Sequence, residues 1–157
     1  MDADRLIGAV RHALAHSRAA EEIVVEAWQA QALAQAVGSH LAVNGPAELR
    51  SEARGLSEAG GRACGALLCP GASGARAVQL SGVRDPRGVL LDLGGLLGEV
   101  GIALVGVACA ADEETLYWQC IEAIDAADES SDRVRGLLSR LAERERSQSG
   151  SAAEPMV

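Results

Sequence analysis

The sequence predicts an all-α protein, an antiparallel helical bundle of four long helices with short helical pieces. Three observations support that prediction. Alanine and leucine, the strongest helix formers, dominate a composition that has no Phe and only four Pro. Apolar residues recur at steps of three and four along several segments, as they do on the buried side of a helix. Finally, the almost wholly apolar segment 89–111 is followed by the segment 112–132, which carries eight carboxylates and no basic residue.

Recognisable breaks separate the first three helices. Residues 3–16 are predicted as a short amphipathic helix, and a weak break at Ser17 leads into a second helix at about 19–43. A Gly-Pro pair at 45–46 ends that helix, because proline favours the first position of a new one. The third helix is predicted at about 47–68. The second helix has a seam of evenly spaced apolar residues, which are Ile23, Ala27, Ala30, Ala34, Val37 and Leu41.

The second half of the chain contains the most apolar helix and the most acidic one. A loop is predicted at 69–74, and residues 75–81 are predicted to form one or two helical turns. The fourth helix, at about 86–110, is expected to be the most buried element, because apolar residues occupy several of its faces. The last helix is predicted at about 113–146. Beside its main seam, the fourth helix has apolar or small residues on other faces, at Leu91, Gly95, Gly98, Ile102 and Val105.

Length and charge limit the possible classes of protein. A chain of 157 residues predicts a single domain, at 1–146, and the polar residues 147–157 are expected to form a disordered C-terminal tail. The net charge of −8 argues against nucleic acid and anionic lipid as partners. The acidic start at 1–4 does not match a signal peptide, so we expect a cytoplasmic protein. A membrane span is not expected, because Glu99 lies near the middle of the apolar helix.

The residues that usually carry chemistry do not form a known pattern. All 14 basic residues are Arg, which excludes mechanisms that need a lysine. Ser73 lies in a sequence that lacks the final glycine of a nucleophile elbow. The spacing of the cysteines and histidines matches no zinc template, and these residues are Cys64, Cys69, Cys109, Cys120, His12, His16 and His40. The sequence therefore favours a non-catalytic protein with no cofactor and no metal.

One alternative is a divalent-metal-dependent hydrolase that acts on a phosphorylated small molecule. Its metal ligands would be the carboxylates of Glu122, Asp125, Glu129 and Asp132, which line one face of the last helix at steps of three and four. Such a site for Mg²⁺ or Mn²⁺ needs a second acidic helix opposite the first. The acids also point away from the apolar seam of their own helix, as a solvated face does.

The other hypothesis is an interaction surface on the same helix. Trp118 falls within the acidic arc, close to Glu122 and Asp125, with Ile121 alongside. Large apolar groups on a charged face often mark a contact surface. We therefore predict a non-catalytic interaction module that binds a protein partner, or a second copy of the chain, through these four residues. The competing interpretation is that residues 75–81 or the first helix cover Trp118.

Two segments resemble a family of uncharacterised small actinomycete proteins. They run from Glu26 to Gln35 (EAWQAQALAQ) and from Leu116 to Arg133 (LYWQCIEAIDAADESSDR). The likeness extends over about residues 1–146. Because this family is a domain of unknown function, the resemblance implies a cytosolic bacterial setting but no activity and no site residue.

Overall fold

The protein is a helical bundle in a computed structural model that describes residues 1–67 and 74–153. Its α-helices within these ranges are α1 (Ala3–Ala15), α2 (Ala20–Asn44), α3 (Arg50–Leu67), α4 (Pro86–Ala110) and α5 (Glu114–Ala153). Short 3-10 turns lie at Ala47–Leu49 and Arg76–Gln79. The described ranges contain no β-strand, only an isolated bridge between Asp2 and Gly82. The predicted all-α bundle is confirmed.

The helix bounds agree closely with the predicted ones, except at the end of α5. That helix continues to Ala153, beyond the predicted end at 146. Residues 147–153, which were assigned to a tail, belong to the helix in the structure because no proline interrupts the chain before Pro155. Residues 154–157 lie outside the described residues, as do Cys69, Ser73 and the rest of the predicted loop before Gly74.

The most closely packed pairs of helices, α2 with α3, α4 with α5 and α3 with α5, run antiparallel around a leucine-rich core, whereas α1 runs parallel to α4. Ion pairs of Glu129 with Arg62 and of Arg140 with Glu52 fix the direction of α5 against α3. The apolar seams of α2, α4 and α5 meet in the centre, where burial of apolar area supplies the main stabilising free energy. Its largest fully buried side chains include Leu33, Leu41, Leu56, Leu90, Leu93, Leu97, Leu104 and Leu137.

Two glycines let α2 and α3 approach each other closely. A Cβ atom added at Gly38 would lie 2.6 Å from the backbone nitrogen of Ser57. One added at Gly60 would lie 2.7 Å from the backbone oxygen of Gln31. Both distances are far below van der Waals contact, so only glycine fits at these positions without moving a helix. The glycine at position 60 costs intrinsic helix stability, and close packing compensates for it.

A buried ion pair holds the Arg76–Gln79 turn against α2. Glu26, whose exposed fraction is 5%, accepts two hydrogen bonds from the Arg76 guanidinium, at 2.5 and 2.8 Å. These hydrogen bonds raise the pKa of Arg76 above its ordinary value. Gln29 extends the attachment by accepting the backbone N–H of Arg76 at 2.9 Å and donating to the carbonyl of Gly74 at 3.0 Å.

The prediction that α4 is the most buried element is wrong, because more residues of α2 are buried and one face of α4 is exposed. Its main seam is buried against α1, α2 and α5, but the opposite face has no neighbour within the described residues. On that face Ile102 is 75% exposed, Leu91 55% and Val105 46%. The apolar pattern alone does not show which faces have a packing partner. Within the described residues, α4 is also the one helix long and apolar enough to cross a membrane by length and composition.

Candidate functional site

The acidic face of α5 points away from the core, as the sequence predicts. The opposite face of this helix is buried, at Cys120, Ala123, Ala127, Ser130, Val134, Leu137 and Leu141. We call the predicted surface the Trp118 face, defined by Trp118, Ile121, Glu122 and Asp125. Glu122 and Asp125 are exposed, whereas Ile121 is half-buried.

Trp118 is not covered by a neighbouring segment. Its side chain is 55% exposed. The Arg76–Gln79 turn, one of the two segments that were expected to cover it, packs against α2 instead. The other, α1, packs against α2 and α4. Much of the apolar surface of this indole is in contact with water, and binding to another molecule would bury it.

Tyr117 enlarges the aromatic surface beside Trp118. The two rings make an edge-to-face contact with centroids 5.3 Å apart, and Tyr117 is 41% exposed. This arrangement is a favourable geometry for aromatic pairs. Tyr117 was not predicted as part of this surface, although its position directly before Trp118 was a usable signal.

The carboxylates of α5 fall into two groups. Glu129 and Asp132 are neutralised by arginines, through the contacts Arg62–Glu129 at 2.5 Å and Arg135–Asp132 at 2.8 Å. Within the described residues, Glu122 and Asp125 make no ion pair. The end of α5 that carries Trp118 therefore presents uncompensated negative charge.

The geometry provides little for the hydrolase alternative. In the described ranges, no three His, Cys, Asp or Glu residues are grouped so that they could hold a metal ion. Where Glu122 approaches α3, the facing residues are Ala63, Ala66 and Leu67 around a crevice of about 10 Å³. These apolar side chains offer no oxygen ligand for Mg²⁺ or Mn²⁺, which would require a second acidic helix at this place.

The described cysteines and histidines are not arranged as a catalytic group. Cys120 is fully buried, and burial raises the pKa of its thiol, which keeps it protonated and unreactive. The rings of His12 and His16 lie 4.2 Å apart on α1, and His16 Nδ1 is 2.8 Å from the carbonyl oxygen of His12. His40 lies on another helix, near the C-terminal end of α2.

The chain belongs to a family of unknown function (DUF6099), whose model matches residues 1–140. Both segments that suggested a family resemblance fall within this range, so membership of an uncharacterised family is confirmed. No curated protein and no solved structure matches the chain. The comparisons therefore assign the family without adding an activity, a ligand or a site residue.

Proposed function

We propose that the protein is a non-catalytic, cytosolic interaction module that binds another protein through the Trp118 face. The exposure of Trp118 is the observation that carries this proposal. Tryptophan and tyrosine are among the residues that most often dominate binding energy at protein interfaces. If the protein had no binding partner, an indole this exposed on a charged helix would lower its solubility without adding to its stability.

The apolar and charged residues of the Trp118 face indicate which kind of partner surface it would bind. The aromatic pair Tyr117 and Trp118 requires an apolar pocket. Glu122 and Asp125, which no arginine of the described residues neutralises, favour a rim of Arg or Lys around that pocket. The partner is thus a protein with a basic rim around an apolar depression, and not a nucleic acid or an anionic membrane.

The first test is the truncation Trp118→Ala. Proteins captured by the immobilised wild-type chain are identified, purified and titrated by calorimetry. Loss of an anchoring indole should weaken binding about 30-fold, or about 2 kcal/mol. The matched control is Val43→Ala, because Val43 is 72% exposed on α2 and lies outside the face. Both variants should unfold at the same denaturant concentration as the wild type.

Charge reversal tests the acidic part of the face. Glu122→Arg should weaken the same complex and remove most of its salt dependence, whereas Glu21→Arg, at the exposed start of α2, should do neither. In a Trp28→Phe background, the fluorescence of Trp118 should be quenched by acrylamide in the free protein and protected in the complex. Equal affinities of the wild type, Trp118→Ala and Glu122→Arg for each purified partner would contradict the proposal.

A further inference from the structure

The uncovered side of α4 has the spacing of a helix-pairing seam. We call this surface the outer face of α4, and its residues follow one another at alternating steps of four and three. They are Leu91, Gly95, Gly98, Ile102, Val105 and Cys109, all of them exposed. Alternating steps of four and three keep one side of a helix facing a partner helix that runs parallel or antiparallel to it. No element of the described chain packs on it.

Residue size along this face favours an antiparallel second copy. If two α4 helices cross antiparallel about a two-fold axis at the level of residue 100, each position meets the one equally far on the other side. Leu91 then lies opposite Cys109, Gly95 opposite Val105, and Gly98 opposite Ile102. Every pair joins a large side chain to a small one, which fills space evenly. In a parallel pair each residue would meet itself, and Gly95 and Gly98 would leave gaps.

The glycines of the outer face provide space that their own chain does not use. A Cβ atom at Gly98 would meet nothing within 4 Å. One at Gly95 would meet only the end of the Arg11 side chain, at 3.8 Å. Glycine lowers the stability of a helix, and packing inside the monomer requires neither of these two glycines. The side chains of Ile102 and Val105 from a second copy would fill these two positions.

The charges beside the face also suit a second copy. Arg11 of α1 donates hydrogen bonds to Glu99 at 3.1 and 2.6 Å, and this contact raises the pKa of Arg11 above its ordinary value. Two-fold symmetry would place the Arg11–Glu99 ion pairs of the two copies about 3 Å apart along the helix axis. Each cation would then lie beside the partner's anion, and the four groups of the two ion pairs would carry no net charge.

Lipid is a poorer match for the same surface. Glu99 and Arg11 lie beside the middle of the outer face and are about 40% exposed, and Asp92 is exposed near its start. A bilayer would have to desolvate these charges at a cost of about 2.5–3.5 kcal/mol for a single central charge. An identical protein face offers Glu99 and Arg11 an opposite charge instead.

The size of the surface is sufficient for a modest dimer. From Leu91 to Cys109 the helix rises about 27 Å. Arg11, His12 and Ala15 of α1 line an open groove of about 530 Å³ along α4, so that the face is two helices wide. Two helices of this length bury roughly 500 Å² per protomer, or about 1,000 Å² in total, which is near the lower limit for a specific interface.

We propose that the outer face of α4 binds the same face of a second copy of this chain, antiparallel about a two-fold axis at the level of residue 100. This homodimer is independent of the partner proposed for the Trp118 face. Its dissociation constant is expected in the micromolar range, because the interface is small.

Disulfide cross-linking tests the arrangement directly. In a Cys64→Ser, Cys69→Ser background, the exposed thiol is Cys109, while Cys120 is buried. Leu91→Cys should then give a covalent dimer on oxidation with copper phenanthroline, because residue 91 of one copy meets Cys109 of the other. Within one chain these positions are about 27 Å apart and cannot join. The matched control, Val43→Cys, places an equally exposed thiol on α2 and should remain uncross-linked.

Charge exchange supplies a second, non-covalent measurement. Arg11→Glu puts four acids beside the axis and should raise the dissociation constant at least tenfold in sedimentation equilibrium. The double variant Arg11→Glu, Glu99→Arg restores two ion pairs and should dimerise as the wild type does. A Trp118→Ala variant should also dimerise normally, which separates this proposal from the preceding one.

Four results would overturn the proposal. Cross-linking of the background protein through Cys109 alone would indicate a parallel pair. A wild-type chain that stays monomeric at about 100 µM, together with a Leu91→Cys variant that is not cross-linked, would exclude the dimer. Monomers that bind phosphatidylcholine vesicles through this face would identify lipid as its occupant. Equal dimerisation of Arg11→Glu and the wild type would exclude the arrangement about residue 100.

Discussion

Two glycines between α2 and α3 have surroundings opposite to those of three glycines in the middle and end of α4. A Cβ atom added at Gly38 or Gly60 would meet the backbone of the other helix at 2.6 or 2.7 Å. A Cβ atom added at Gly98, Gly101 or Gly106 would meet nothing within 4 Å. The first group is explained by packing inside the monomer. The second group has no such explanation, although glycine weakens a helix equally in both places.

This difference shows what a residue type alone does not reveal. A glycine in a helix indicates either close approach of a second backbone or an unfilled position. Between α2 and α3 the approaching backbone belongs to the same chain. On the outer face of α4 the space is open, and each large residue lies as far from residue 100 as a small residue on the other side. The comparison thus separates a seam that folding has closed from one that is available to a second molecule.

The largest effect is expected at the closed seam. Gly60→Ala should lower the free energy of unfolding by about 3 kcal/mol, because the new methyl group would overlap the backbone of α2 and force the helices apart. Chemical denaturation monitored by circular dichroism measures the change. The matched control is Gly65→Ala on the same helix, where an added Cβ meets nothing within 4 Å and stability should rise slightly. Equal effects of the two substitutions would refute the assignment of Gly60 to a tight contact.

The second largest difference is expected between two ion pairs, the one that holds the Arg76–Gln79 turn and the one beside the outer face of α4. Arg76→Ala leaves the carboxylate of Glu26, with 5% exposure, without its cation and should cost about 2 kcal/mol of stability, somewhat less than a fully buried pair. Arg11→Ala breaks a pair of which both members are about 40% exposed and should cost less than about 1 kcal/mol in the monomer. Denaturant titration of both variants at low protein concentration gives the comparison. Similar losses would mean that the turn at Arg76–Gln79 is not held by this pair.

The smallest effect is expected on α4. Gly106→Ala should raise the free energy of unfolding by about 0.5–1 kcal/mol, because alanine favours the helix and no atom opposes its methyl group. Thermal unfolding at low protein concentration, where the monomer dominates, measures this gain. A loss of stability would show that a part of the chain packs on α4 at this position.

Much of the fold could be predicted from the sequence, because the apolar seam of a helix is a local pattern of residues. The seam of α2 from Ala27 to Leu41 is buried as predicted, and α4 has the bounds that its apolar run and Pro86 indicated. The exposed side of α4 did not follow, because apolarity is a property of the residues and burial is a property of their neighbours. Similarly, the burial of Glu26 could not be predicted from its own helix, because only the path of the chain through Arg76 explains it.

The candidate site followed only in part. The period of α5 correctly placed Glu122 and Asp125 on the solvated side, because both lie opposite its seam. The exposure of Trp118 was left open, since it depends on the courses of α1 and of the Arg76–Gln79 turn. The pairing of Glu129 with Arg62 likewise depends on how α3 lies against α5. The spacing of residues within one segment does not indicate which distant segment it contacts.

The contrast between the two glycine seams is tested most directly by sedimentation equilibrium of Gly98→Leu. The Cβ atom of a leucine at this position would meet no atom of its own chain within 4 Å, and the leucine side chain would collide with Ile102 of a second copy. We predict that the wild type is a reversible dimer between about 1 and about 100 µM. Over the same range, Gly98→Leu should be a folded monomer, and Gly65→Leu, which alters an open position on α3, should dimerise like the wild type. A wild type that is monomeric throughout, or a Gly98→Leu variant that dimerises equally well, would contradict the account.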